Sequence, residues 1–251
     1  MASLTASLRN GVFAAFCAAS SLIAPVAALA ADAAVLDSGR PVEDKARDAD
    51  RKPAEMLEFA QVKPGQTIVD YMPGKGYFTR IFSNAVGPNG AVYSDTPQLL
   101  IDKFKEKALP PPVSGEPGHA NVHEVVAQND NLGASKVDLV WTSQNYHDVH
   151  IWTGAKGTAA LNKSVFDALK PGGIYIVLDH AGAAGLDDAG MATLHRIDEA
   201  LVIKEVTAAG FVLDGESKVL RNPADNHELK VFDPAIRGKT DQFILRFRKP
   251  G

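Results

Sequence analysis

Short apolar runs of strand type alternate with helical patterns from residue 67 to the C-terminus, and this alternation constrains the fold more than anything else in the chain. Strands are expected over 67–71, 91–95, 122–127, 137–142, 174–179, 211–219 and 242–247. Helices are expected over 44–59, 77–85, 97–107, 156–169 and 191–209, the last being the longest. Strands separated by helices of roughly ten to fifteen residues pair in parallel through right-handed crossovers. The last two strands have no helix between them, so they add an antiparallel element to that sheet. In an open α/β sheet the ligand sits beyond the carboxyl ends of the strands. The polar residues Asp70, Asp95, Thr142 and Asp179 fall at those ends.

The first thirty residues follow a different logic. Arg9 is the only charge before Asp32, residues 11–26 are largely apolar, and Ala28-Leu29-Ala30 supplies a small-x-small pattern. Together these read as a signal peptide over 1–30, cleaved after Ala30, and place the mature chain in the periplasm or outside the cell. The apolar stretch contains Ser20, Ser21 and Pro25 and is shorter than the ~20 residues of a membrane span, so no stable membrane insertion is expected after cleavage. Cys17, the only cysteine, lies inside the leader, so no disulfide is expected in the mature chain. Residues 31–43 are small and polar and read as a flexible lead-in to one α/β domain over 44–251. With 251 residues and a net charge of −4, the chain has no basic footprint, and nucleic acid is not an expected partner.

The most informative stretch is Asp70-Tyr71-Met72-Pro73-Gly74-Lys75-Gly76-Tyr77-Phe78-Thr79. A glycine-bearing turn between strand and helix lets a cofactor approach the backbone and the helix N-terminal amides. An ordinary turn needing glycine for positive φ has the same composition. Leu169-Lys170-Pro171-Gly172-Gly173-Ile174 precedes the fifth strand, Val92-Tyr93-Ser94 lies in the second, and two strands close the chain. With these features the chain resembles the class I S-adenosylmethionine (SAM)-dependent methyltransferases over nearly all of residues 44–251. More narrowly, it is similar to a group of predicted methyltransferases, often exported. That group shares the Met72–Thr79 turn, Asn145-Tyr146-His147-Asp148 and the Phe232–Thr240 segment.

The resemblance implies a Rossmann-like fold, a seven-stranded mostly parallel sheet with an antiparallel C-terminal strand. It also implies SAM as cofactor, with Asp70, Gly74 and Gly76 lining its site and the glycines passing under the methionine part. Two positions depart from the wider family. Met72 stands where the first glycine of the turn is usual. Thr96 aligns with the acidic residue that holds the ribose, leaving Asp95 one place early. Met72, Asp95 and Thr96 complete the expected cofactor contacts. A one-residue offset in a strand turns a side chain to the opposite face unless a bulge intervenes.

Asn145-Tyr146-His147-Asp148 follows the fourth strand, where such folds place residues facing the substrate. His147 beside Asp148 offers a general base; in the alternative, His147 caps a helix and Asp148 bonds backbone. Asp179-His180 ends the fifth strand, and His195, Arg196 and Asp198 lie on the long helix, where a spacing of three puts His195 and Asp198 on one face. The expected catalytic set is therefore His147, Asp148 and His180. Substrate contacts are expected from Asn145, Tyr146, Asp179, His195 and Arg196, the last through an anionic group. With His147, the His and Asp residues at these positions could converge on one pocket, three His and three Asp being enough to bind a divalent metal, but no tight His-x-x-x-His or Glu-x-x-His spacing is present and no metal is expected. Residues 221–239 form a long polar loop that is either an ordered lid or a surface excursion.

The expected function is methyl transfer to an oxygen or nitrogen of a small molecule, outside the cytoplasm. SAM is made in the cytoplasm, so two alternatives stand beside it. One is a SAM-independent hydrolase or isomerase using the His/Asp cluster on the same scaffold. The other is a non-catalytic protein that binds a small ligand.

Overall fold

The computed structural model describes residues 34–251 apart from 37–38, 106–108, 110–111 and 129–130. The leader expected over 1–30 lies outside the described residues. Among the described residues, no helix is long and apolar enough to cross a membrane.

Seven strands form one sheet: β1 (Thr67–Tyr71), β2 (Ala91–Pro97), β3 (Val122–Ala127), β4 (Val137–Ser143), β5 (Leu169–His180), β6 (Val212–Ser217) and β7 (Gln242–Arg248). Their order is β3-β2-β1-β4-β5-β7-β6. The first five pair in parallel, and β7 runs antiparallel between β5 and β6. The strand order reverses between β1 and β4, which opens a crevice at their carboxyl ends. Helices cover both faces, which explains why the central strands read as near-continuous apolar runs. One face buries Val69, Tyr71, Val140 and Val177; the other buries Ile68, Leu139, Trp141 and Ile176.

The helices differ from expectation in three places. The stretch expected as one helix over 44–59 is three short ones: α1 (Val42–Lys45), α2 (Asp48–Arg51) and α3 (Pro53–Phe59). Lys52 takes φ 49° before Pro53, whose ring and missing N–H prevent continuation from the preceding turn. After α4 (Tyr77–Val86) and α5 (Gln98–Phe104), the expected 156–169 helix starts earlier, as α6 (Tyr146–Ala168) with a break at Gly154.

The supposed longest helix is divided into α7 (Asp188–Leu194) and α8 (Glu199–Ala208). Asp187 and Asp198 each cap their own helix through the side chain. Between them, Ile197 bridges to Ala181 beyond the end of β5 and donates its N–H to the His180 carbonyl at 3.1 Å. His195, at φ 53°, turns out of the helix, so it does not share a helical face with Asp198.

The expected flexible lead-in is also tied down over its described residues. Ala34 is buried, and Arg40 donates to the Val35 carbonyl at 2.7 Å and to both Asp48 oxygens at 2.9 and 2.7 Å.

Candidate active site at the switch point

The turn after β1 is built for close approach. Met72, Gly74 and Gly76 have φ of 55°, 59° and 79°, so backbone amides and carbonyls rather than side chains form its surface. A Cβ added at Gly74 would meet nothing within 4 Å, which leaves open space over that residue. At Gly76 it would strike Val113, so the second glycine is required by packing. Asp70 lies buried at the base, its Oδ2 accepting the Thr79 hydroxyl at 2.6 Å. Burial pushes its carboxyl up to about 7, against the opposing Thr79 bond and Arg51 charge. Asn145 crosses from β4 and donates Nδ2 to the Met72 carbonyl at 3.0 Å, fixing the turn.

Two polar cavities meet here. One of about 210 Å³ is lined by Asp70, Met72, Gly74, Arg47, Arg51 and Asn145. The other, about 410 Å³, shares Arg47, Arg51 and Gln144 with it and reaches His180 and Arg237. Arg51 packs on Tyr77 with its guanidinium 4.8 Å from the ring centroid and donates to Gln144 Oε1 at 2.9 Å. Sequence reasoning missed Arg47, Arg51 and Gln144. The signal was two arginines four residues apart, a like-charge pair that a solvated helix avoids. A third, more apolar cavity of about 750 Å³ begins at Met72 and Gly74 and is walled by Leu100, Phe104, Trp152 and Phe232.

The expected ribose contacts do not reach these cavities. Residues of β2 pair with β1 and β3 in unbroken register, so no bulge corrects the offset. Asp95 therefore falls on the face of Tyr93, and Thr96 on the face of Val92. The Asp95 carboxylate is wholly buried and accepts the Gly133 N–H at 2.9 Å, and burial raises it to about 6. Thr96 is buried as well.

The histidines converge more than sequence spacing suggested. His147 Nδ1 is 2.7 Å from Asp179 Oδ1, and the His147 backbone N–H donates to Asp179 Oδ2 at 2.8 Å. Burial alone would lower the His147 ring, but the charge and hydrogen bond of Asp179 outweigh it and raise it. Asp179 is buried with both oxygens engaged, so it positions His147 and does not contact substrate. His147 Nε2 is 3.6 Å from Asp148 Oδ1, and His195 Nδ1 is 3.5 Å from the same oxygen. Asp148 and His195 line the apolar cavity, and His147 stands behind them, 2% exposed.

Three expected roles change. His180 bonds Thr240 Oγ1 at 2.7 Å, and burial pulls its ring down to about 4, so it is a neutral wall of the polar cavity and a poor proton carrier. Arg196 is fully buried, its guanidinium bonded to the carbonyls of Leu229 and Ala181 and to both oxygens of Asp225. It pins the 221–239 loop and has no donor group directed at a substrate. Tyr146 is buried, its hydroxyl between Glu205 Oε2 at 2.9 Å and Asn162 Nδ2 at 2.8 Å.

A mixed seven-stranded sheet of this order, with a glycine turn at its switch point, is the fold of the class I SAM-dependent methyltransferases. No family model matches the chain. It is 25% identical over 194 residues to the ubiquinone/menaquinone biosynthesis C-methyltransferase UbiE of Ectopseudomonas mendocina, covering 76% of this chain and 65% of that protein's length. Among solved structures it resembles a SAM-dependent methyltransferase from Aquifex aeolicus, with a TM-score of 0.53 at 16% identity over 77% of this chain and 87% of that one. It also resembles a candidate sarcosine dimethylglycine methyltransferase from Galdieria sulphuraria, with a TM-score of 0.56 at 14% identity over 80% and 85%.

Proposed function

We propose that this chain is an exported SAM-dependent methyltransferase that acts on an oxygen or nitrogen nucleophile of a small molecule. The observation that carries the reading is the Met72–Gly76 turn, with open space at Gly74 above the buried Asp70 carboxyl at the switch point. The residues present fit the amino-acid end of SAM. Asp70 and the turn's backbone suit its ammonium, and Arg47 and Arg51 line the same cavity and suit its carboxylate. Bound there, SAM supplies an electrophilic methyl sulfonium. The similarity to the C-methyltransferase supports the reaction class, and the leader pattern over 1–30 supports export.

The chain's own residues would do three things. Gly74 and Asn145 form the boundary between the polar and apolar cavities, and so set the reacting groups in line. The apolar walls Leu100, Phe104, Trp152 and Phe232 hold the substrate body and exclude water. Asp148 takes the nucleophile's proton and shares it with His147 Nε2, whose other nitrogen is steadied by Asp179.

Titration calorimetry of SAM and S-adenosylhomocysteine into the protein tests this. Micromolar binding that is lost in Asp70→Ala supports methyl transfer. No binding by folded wild-type protein sinks it.

A further inference from the structure

His147, Asp148 and His195 place one ligand atom each within 4.8 Å of one another, Asp148 and His195 on the wall of the apolar cavity and His147 buried behind them. Asp179, held as a carboxylate, can only accept a hydrogen bond, so His147 Nδ1 is the donor and, once the ring gives up its second proton to a metal ion, Nε2 is the nitrogen that presents a lone pair. That nitrogen faces Asp148 Oδ1 at 3.6 Å, and His195 Nδ1 faces the same oxygen at 3.5 Å. Asp148 Oδ1 and His195 Nδ1 are buried, and beyond their long 3.5 Å contact with each other neither has a hydrogen-bond partner of ordinary length. Buried polar atoms left this way are costly unless something occupies the space between them.

We propose that these three residues bind a divalent transition-metal ion. Metal bonds of ~2.1 Å at tetrahedral or octahedral angles separate neighbouring ligand atoms by about 3.0–3.4 Å, so the two separations to Asp148 Oδ1 need only a small contraction, while the two imidazole nitrogens lie within 4.8 Å and close on the ion by side-chain rotation. Two imidazoles and one carboxylate select zinc, iron, cobalt or nickel over magnesium and calcium, which prefer all-oxygen sites. Asp179 behind His147 supplies the carboxylate–histidine support typical of metal-ligating imidazoles. Three protein ligands leave open positions, and these would face the cavity walled by Leu100, Phe104, Trp152 and Phe232. The ligand class that fits is a molecule with an apolar or aromatic body and an oxygen donor to reach the ion. The sequence shows the ligand types but not the trio that meets, because His195 is remote from His147 and Asp148 and is brought in by the break between α7 and α8.

The test is metal binding by the untagged full-length protein, stripped with chelator and titrated with Zn²⁺ by calorimetry and with Co²⁺ by visible absorption. One ion per chain is expected, with intensified Co²⁺ bands, and at least tenfold weaker binding in Asp148→Asn and in His195→Ala. Both substituted residues are partly exposed, so their variants should fold, and circular dichroism checks that. Failure of the folded wild type to bind one ion, or binding unchanged in both variants, overturns the proposal. A bound ion would occupy Asp148 and His147 Nε2 and so replace the proton relay between them; SAM titration of the same samples reports on methyl transfer separately.

Discussion

His147 and Asp179 are joined twice, by a ring bond of 2.7 Å and a backbone N–H bond of 2.8 Å to the two oxygens of one buried carboxylate. Asp179→Asn keeps an acceptor for the backbone but also offers an amide N–H to the ring, which moves the ring proton to Nε2. Losing a hydrogen bond to a buried carboxylate costs about 1.5–3 kcal/mol. Urea unfolding should therefore show a loss of that order, shown as a lower midpoint. Turnover of any accepted substrate should fall by roughly 10²–10⁴-fold, since the nitrogen facing Asp148 would no longer accept a proton. An unchanged rate in a folded variant would remove His147 from the chemistry.

Arg196 separates a structural reading from a substrate-binding one. Its guanidinium is saturated by Asp225, Leu229 and Ala181, so Arg196→Ala leaves a buried carboxylate unpaired. The expected loss is about 3–5 kcal/mol. In a domain of this size that lowers Tm by roughly 10 °C. Limited proteolysis should cut the 221–239 loop first, and SAM affinity measured below the transition should not change. A variant with wild-type Tm and weakened ligand binding would restore the substrate role.

Asp70 gives the stability curve a slope above pH 4. Its carboxyl is raised to about 7 in the folded chain, chiefly by burial. A raised carboxyl contributes stability below the unfolded value near 4 and loses it as pH rises through 7. The loss is as much as about 4 kcal/mol by pH 8. Asp70→Asn should flatten that slope, unfold at higher urea than wild type at pH 8, and lose SAM binding. Greater stability with weaker binding is the trade expected where a functional carboxyl is buried. A variant destabilised at pH 8 would show that the Thr79 bond outweighs the burial.

His180 acts in the opposite direction. Burial lowers its ring to about 4. The unfolded chain therefore takes up a proton near 6.5 that the folded chain refuses, and stability falls as pH drops from 6.5 to 4. The contribution is about 3 kcal/mol at its fullest. His180→Gln should shrink the difference between unfolding midpoints at pH 7 and pH 4.5. If the two proteins lose stability in parallel on acidification, His180 is not the group responsible.

Much of the fold was legible because it rests on short-range signals. The apolar runs of β1 and β4 and the glycine turn at Met72–Gly76 are local features, and each lies where its pattern put it, whereas β5 begins at Leu169, five residues before the expected start. The helix over 191–209 was misread because its break is made by Ile197 pairing with Ala181, a partner sixteen residues away that no local pattern shows. For the same reason the meeting of His195 with His147 and Asp148 was only partly visible. Arg196 and Tyr146 carry groups suited to a substrate, and only their neighbours Asp225 and Glu205 show that those groups are already engaged.

Asp95 tests how far the resemblance extends to the cofactor's ribose. An acidic residue at the end of the second strand would hold both ribose hydroxyls, and its removal would weaken SAM binding severely. Here the Asp95 carboxylate is turned to the opposite face of an unbroken strand and bonded to the Gly133 N–H. Asp95→Asn should therefore change SAM affinity by less than about twofold, within the weight of one unmade contact. Burial lifts this carboxyl to about 6, so the same substitution should raise the urea midpoint at pH 8 while leaving it little changed at pH 4. A tenfold loss of affinity in the stable variant would mean that β2 shifts its register when ligand binds.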